Sequence, residues 1–280
     1  MSELRYETLV LRRQGLTRDV PSGDNDDLRW VANSATLIYG DRDAVLVDSF
    51  LTIEENEQLI DWLQARNRNL THIFLTHGHG DHVYGVGQVL RAFPGALAVA
   101  TAGTVAEARR EAGDEYRNDF FGKLFPGQVP QPVIPTELTA NTIPLEDHEL
   151  FVIETGHTDT MATSVLWCPS LRLLVAGDVV YDRTHMYLGE TDAASRREWI
   201  ETLATLKDLH PEHVVAGHKQ PDGTDDSVDI DESIRYLNDF NEAAAQTSSP
   251  ADLYEAVLRK HPRRANPGSL WGAAKATKGA

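Results

Sequence analysis

Cysteine is almost missing from this chain. Cys168 is the only one in 280 residues, so no intrachain disulfide can form and nothing calls for an oxidising compartment. Basic residues are also scarce relative to acidic ones, 26 Lys and Arg against 43 Asp and Glu. The resulting formal charge of −17 would repel a phosphate backbone rather than release its counterions, so a nucleic-acid partner is not expected. No stretch approaches the ~20 consecutive apolar residues that a membrane span requires. The opening Met1-Ser2-Glu3-Leu4-Arg5-Tyr6 lacks a basic segment followed by an apolar one. The expectation is a cytoplasmic protein with no membrane partner. The remaining composition, 41% hydrophobic, 25% charged and 8% aromatic, is that of an ordinary globular protein. A chain of this length can bury a large core, and α/β folds of this size are often single domains.

The most informative stretch is Thr76-His77-Gly78-His79-Gly80-Asp81-His82, which follows the apolar run Ile73-Phe74-Leu75. It gathers three of the chain's 11 histidines and a carboxylate. A strand ending at Thr76 would deliver His77 and His79 into a loop at the sheet edge, both pointing the same way. Gly78 and Gly80 would let the backbone turn between them. Asp81 and His82 would then open a helix over 83–93 and face a second ion beside the first.

Around this loop the pattern is β-α-β. A weakly alternating opening strand leads to a Pro21-Ser22-Gly23 turn and a mobile loop containing Asp24 to Asp27. Two apolar runs, 35–39 and 44–48, separated by Gly40-Asp41-Arg42-Asp43, predict a hairpin. Asp48 ends its second strand, either as a carboxylate that orients a metal-bound histidine or as a turn residue. Thr52-Ile53-Glu54-Glu55 has the form of a capping box and opens a helix over 53–67. A strand at 72–76, the helix 83–93 and a strand at 96–100 follow, with Pro94-Gly95 breaking the chain.

A charged helix over 105–117 and an aromatic, glycine-rich piece over 118–127 form an insertion at about 104–132. Phe120 and Phe121 there either cap a substrate pocket or dock the loop onto the core. Strands at 150–154, 163–168 and 171–176, a helix over 195–209 and a strand at 213–216 complete the sheet pattern. His157, Asp178 and His218 fall just after strands, as His77 does. An acidic loop at 222–231 and helices at 232–246 and 250–260 form a C-terminal extension, 223–280, packed on the same domain and frayed from Lys275.

With His77, His79, Asp81, His82, His157, Asp178 and His218 assembled, the sequence resembles the metallo-β-lactamase superfamily. Its pattern is His-x-His-x-Asp-His followed by a single His, a single Asp and a final His. The likeness runs over about residues 30 to 220 and includes the Gly-His-Thr at His157, the Gly-Asp at Asp178 and the Gly-His at His218. It implies an α/β fold, an αββα sandwich of two mixed β-sheets flanked by helices, occupying residues 1–222. His77, His79 and His157 would hold one metal, Asp81, His82 and His218 the other, and Asp178 would bridge them. Imidazoles and carboxylates suit two divalent ions, zinc first, with iron or manganese as alternatives. A hydroxide bridging the ions would be the nucleophile. Taken singly, His157 and His218 are more ordinary as capping or core-edge residues, and Asp178 as a cap. His72, His148, His185, His210, His213 and His261 lie outside the pattern, and His185 is a pocket candidate through its closeness to Asp178.

Departures narrow the choice. The iron-oxygen flavoproteins of the superfamily carry Glu where this chain has His79. The Cys ligand of one group of β-lactamases is replaced by Asp178, and the long insertion of the nucleases is missing. Asp178-Val179-Val180-Tyr181 resembles the spacing in lactonases that open acyl-homoserine lactones. Tyr181 would there join Asp81 as a catalytic residue, its hydroxyl donating to a developing oxyanion; its other reading is a buried aromatic. Tyr84 is a weaker candidate of the same kind.

The expected function is a metal-dependent hydrolase acting on a small-molecule lactone or carboxylic ester. Three alternatives stand beside it: a β-lactam or thioester hydrolase with the same centre, a mononuclear-iron persulfide dioxygenase, and a non-catalytic scaffold. Assembly into a homo-oligomer is left open.

Overall fold

The hairpin around Gly40 is the entry to the sheet. In chain order the strands are β1 (Arg5–Gln14), β2 (Trp30–Tyr39), β3 (Asp43–Val47), β4 (Asn69–Phe74), β5 (Leu97–Ala100), β6 (Thr136–Glu137), β7 (Thr142–Leu145), β8 (His148–Gly156), β9 (Thr163–Cys168), β10 (Leu173–Tyr181) and β11 (His213–His218). They come from a computed structural model that describes residues 2–14, 20, 21, 28 and 30–279. The expected loop at Asp24 to Asp27 lies outside the described residues.

β2 and β3 pair antiparallel, Tyr39 opposite Ala44, and β4, β5 and β6 continue outward in parallel. On the far side of β2 the order is β11-β10-β9-β8-β7, and β1 lies antiparallel on β2. The two expected sheets are thus two halves of one hydrogen-bonded path, which meet where His218 pairs with Asn33. A candidate metal ligand therefore sits at the seam.

The helices are α1 (Ile53–Arg66), α2 (Gly80–Val83), α3 (Val86–Ala92), α4 (Ala102–Glu111), α5 (Gly122–Leu124), α6 (Ala193–Lys207), α7 (Val228–Gln246), α8 (Pro250–Lys260) and α9 (Pro267–Lys278). α1 starts where the capping box predicts: Thr52 Oγ1 accepts from the Glu55 amide at 3.2 Å, and Glu55 Oε2 accepts from the Thr52 amide at 3.0 Å. It ends at Asn67, which takes the left-handed conformation with φ 49°.

Three apolar clusters make four layers. One, with Leu46, Leu59, Leu63, Val86 and Val105, joins α1, α3 and α4 to the first half-sheet. A second, with Ile38, Val45, Phe74, Leu150, Leu166, Val175 and Val215, fills the space between the half-sheets. The third, with Val180, Trp199, Tyr236, Leu253 and Leu270, joins α6 to α9 to the second half-sheet. Helix, sheet, sheet and helix is the αββα arrangement. Among the described residues no helix is long and apolar enough to cross a membrane.

Several boundaries differ from expectation. The helix expected over 83–93 is broken at Tyr84 and Gly85 into α2 and α3. The one over 105–117 ends at Glu111 and passes into a π-helical turn, Glu115–Phe121. The strand expected at 171–176 begins at Leu173 and runs through Asp178 to Tyr181. The tail from Lys275 is not frayed. α9 continues to Lys278, whose Nζ donates to the Ala244 and Thr247 carbonyls at 2.6 Å each, at the end of α7. Buried Leu270, Ala273 and Ala274 hold that helix down, and tertiary packing of this kind leaves little trace in a Lys- and Gly-rich sequence.

Candidate metal centre

The histidine loop is placed by Asp48. At the end of β3 this residue takes a left-handed backbone with φ 61°, which turns its carboxylate toward the end of β4. Asp48 Oδ1 accepts from the Thr76 amide at 2.9 Å and Oδ2 from Thr76 Oγ1 at 2.8 Å. The glycines of the loop provide room rather than unusual dihedrals. A Cβ on Gly78 would run into α4, lying 2.8 Å from the Ala108 amide nitrogen. A Cβ on Gly80 would lie 2.5 Å from the Tyr84 ring and 3.0 Å from Phe121. Gly177 is the position where backbone freedom matters: with φ 49°, it lets β10 approach Thr76 and aim Asp178 at the loop.

Four imidazoles converge with their outer nitrogens already engaged. His77 Nδ1 meets Thr76 Oγ1 at 3.0 Å, His79 Nε2 meets Glu190 Oε1 at 3.2 Å, His82 Nδ1 meets Asp48 Oδ2 at 3.1 Å, and His218 Nδ1 meets the Ala32 carbonyl at 3.1 Å. Each of these contacts orients a ring and leaves the other nitrogen facing inward, the arrangement by which proteins prepare histidine ligands. The inward atoms fall into three overlapping groups: His77, His82 and Asp178; His77, His79 and Asp159; and Asp81, His82 and His218. Within each group the atoms lie within 4.8 Å of one another. Asp178 spans the centre, with Oδ1 3.3 Å from His82 Nε2 and Oδ2 3.0 Å from His218 Nε2 and 4.0 Å from His77 Nε2.

Several of these atoms are buried and face only the other members of the set. His77 Nε2, Asp159 Oδ2 and Asp178 Oδ1 have no partner in hydrogen-bonding geometry among the described residues. Unpaired buried polar atoms cost free energy, and a divalent cation is the partner that would satisfy imidazole nitrogens and carboxylate oxygens together. The donor set fits such an ion. The charge distribution agrees. Burial alone would push His79 and His82 down. The Asp159 and Glu190 carboxylates beside His79, and Asp178 and Asp48 beside His82, instead hold both well above the usual histidine value. Burial lowers His77. Burial opposes ionisation of Asp178 and Asp81, yet the neighbouring His218 and His82, joined by Arg13 at Asp81, hold both carboxyls well below the usual range.

Of the residues singled out from sequence, His77, His79, Asp81, His82, Asp178 and His218 all enter these groups, and His157 enters none. Its Nε2 meets the Glu190 carbonyl at 3.0 Å. Tyr181 is at the centre: its hydroxyl donates to Asp178 Oδ2 at 3.0 Å. Tyr84 is turned away, donating to the Glu111 carbonyl at 2.7 Å. Phe121 packs edge-on against Tyr84 and over Gly80, whereas Phe120 is 50% exposed. His185 is buried against Tyr236 of α7, with Nδ1 2.9 Å from the Tyr236 hydroxyl.

Sequence reasoning did not find Asp159, Glu190, Arg13 or Asn33. Arg13 Nη2 donates to Asp81 Oδ2 at 2.8 Å, and Asn33 Nδ2 donates to the same oxygen at 3.0 Å. Asp159 lies two positions after His157 and could have been weighed as a neighbouring donor. Arg13 and Asn33 lie on strands without any local signal.

Comparison with known proteins agrees with this architecture. The profile of the metallo-beta-lactamase superfamily matches residues 28–218. The chain belongs to that superfamily. A metallo-beta-lactamase family protein from Thermus thermophilus superposes with a TM-score of 0.63 at 20% identity, covering 96% of this chain and 91% of that one. A metal-dependent hydrolase of Brucella anthropi is 37% identical over 75 residues, 27% of this chain and 31% of that protein. An atrochrysone carboxyl ACP thioesterase of Pseudocercospora fijiensis is 39% identical over 74 residues, 26% of this chain and 22% of that protein. The chain thus matches less than a third of the length of either curated relative.

Proposed function

We propose that the chain is a metal-dependent hydrolase with a dinuclear centre, acting on a small-molecule lactone or carboxylic ester. The observation that carries the reading is the set of four imidazoles whose outer nitrogens are tied down while their inner ones face the buried carboxylates of Asp178 and Asp159. When bound, divalent ions there would act as Lewis acids and bring a water's pKa to near 7. The protein's own groups do the rest. Asp178 is placed between the two halves of the set and is held ionised by His218 and His82. Asp81 is fixed by Arg13 and Asn33, so its free rotation is removed before substrate arrives. Tyr181, buried and beside Asp178, keeps its proton far above neutral pH and can donate to a carbonyl oxygen gaining charge. Zinc is the first choice of ion on donor type, with iron and manganese as alternatives.

Thioester hydrolysis by the same centre is the second reading, supported by the likeness to the fungal thioesterase. Metal analysis of the purified protein, followed by rates on a lactone, an ester, a thioester and a β-lactam before and after chelation, tests both. Metal at two equivalents per chain and chelator-sensitive lactone or ester turnover are expected. Hydrolysis that survives complete metal removal, or one iron with oxygen uptake on a persulfide, would overturn the reading. Asp178→Asn should lower metal content and hydrolysis together.

A further inference from the structure

We propose that the two ion positions of this centre are unequal, and that Arg13, working with Asn33, makes them so. The position lined by Asp81, His82 and His218 fills last because a fixed guanidinium already sits on Asp81. This rests on the reading of the site as a dinuclear metal centre, leaves its ligand set unchanged, and concerns how tightly each half holds its ion.

In the β1–β2 register Arg13 stands opposite Val31 and Leu11 opposite Asn33, so Arg13 and Asn33 are diagonal neighbours across the strand pair. Arg13 Nη1 donates to Asn33 Oδ1, which fixes the Asn33 amide with Nδ2 toward the histidine loop. Arg13 Nη2 donates to Asp81 Oδ2 at 2.8 Å, and Asn33 Nδ2 lies 3.0 Å from the same oxygen and 3.2 Å from His82 Nε2. The Arg13 side chain is 8% exposed, and its Nη1 is also 3.6 Å from Glu55 Oε1, so a second carboxylate holds the guanidinium in place.

These contacts fall on one half of the centre. Asp81 Oδ2, the oxygen that already accepts from Arg13 and Asn33, is also the one that faces His218 Nε2, at 3.7 Å. An ion that takes Asp81 therefore shares its carboxylate with two N–H donors, one of them on a full positive charge. Like charges this close repel strongly where water is excluded. The other half carries no such charge. Asp178, the bridging candidate, is ion-paired only with imidazoles among the described residues, and His77 Nε2 has no hydrogen-bonding partner among them. An ion on the His77 side satisfies an unpartnered buried atom, whereas an ion on the Asp81 side crowds a cation that has nowhere to go. The ion on the Asp81 side is thus the exchangeable one. Arg13 acts on it through Asp81 and is a positioning residue.

The test uses the full chain, freed of metal by chelation and titrated with cobalt(II) by calorimetry and absorption spectroscopy, with circular dichroism to confirm folding. Groups that touch a ligand change metal affinity about 10- to 100-fold, so wild type should take up its two ions in separate steps, the second weaker by about that factor. Arg13→Met combined with Glu55→Gln removes the guanidinium without leaving Glu55 charged and unpaired, and Gln keeps the capping box of α1. In that double variant the second step should tighten by about 10-fold or more while the first moves by less than about 3-fold. Arg13→Lys keeps the charge and should keep the gap. A wild-type chain that binds one ion while the double variant binds two is the same result in its limiting form. Equal steps in wild type, or a second step unchanged or weakened in the folded double variant, would overturn the inference while leaving the hydrolase reading intact. Failure of the wild-type chain to bind metal at all would strike the hydrolase reading itself, so the two failures are distinguishable.

Discussion

The hydroxyl of Tyr181 donates to Asp178 Oδ2 at 3.0 Å, and its ring stacks on His218 with centroids 5.5 Å apart and planes 24° apart. Both partners are candidate metal ligands, so one tyrosine touches the centre of the site with its polar end and its flank with its ring. Tyr181→Phe removes the donor and keeps nearly all the ring volume. If the hydroxyl donates to a developing oxyanion, kcat on a lactone should fall about 10- to 1000-fold with metal content and Tm close to wild type. An unchanged kcat would leave the residue a packing group and remove the residue-level preference for a lactone.

The legible part of the fold was the part written in local pattern. β9 at 163–168 and α8 at 250–260 lie at the expected bounds, β9 being a short run closed by Pro169 and α8 opening at Pro250. The clustered ligands were legible because His77, His79, Asp81 and His82 fall within six consecutive positions. What escaped was nonlocal. Arg13 reaches Asp81 from 68 positions away, and Glu190 reaches His79 from 111. No periodicity in β1 or in the 187–191 segment announces either contact. β7, which contains Pro144, escaped because four residues with a proline read as loop.

The two cap phenylalanines are predicted to separate. Phe120 is half-exposed and touches Phe121 edge-on at 4.8 Å, while Phe121 is wedged against Tyr84 and Gly80. Phe120→Ala should change stability by no more than about 0.5 kcal/mol while raising KM for substrates with large apolar groups. Phe121→Ala should cost about 1–3 kcal/mol, less than a fully buried phenylalanine. Urea melts and KM values across a chain-length series would check both. Equal destabilisation with no KM change would return Phe120 to a packing role.

The C-terminus gives a direct test of its order. Removing residues 275–280 deletes Lys278, whose ammonium caps the Ala244 and Thr247 carbonyls at the end of α7. A cation at a helix C-terminus contributes about 0.3–1 kcal/mol, and shortening α9 adds to it, so the truncated chain should be less stable by about 1 kcal/mol. A urea midpoint identical to that of the full chain would mean that these residues contribute nothing.

Asp229, in the first turn of α7, supplies a pH dependence from a group outside the metal-donor set. It is 6% exposed, and burial together with the nearby Asp182 carboxylate raises its pKa from the ordinary 3.8 to about 7, with Lys219 opposing the shift. The folded state therefore holds this proton more tightly than the unfolded chain does. The stability it contributes is present below the unfolded value near 4 and is lost as pH rises through about 7. A shift of this size bounds the change at about 4 kcal/mol, and solvent screening with the attraction of the α7 amides for the charged form brings the expectation to about 1–2 kcal/mol. Asp229→Asn cannot ionise, so the variant should lose this component of the decline and gain stability relative to wild type as pH rises from 4 to 8. Urea melts of both chains across that range, with metal removed, would check it. A difference between them that stays constant with pH would show that Asp229 does not titrate in the window.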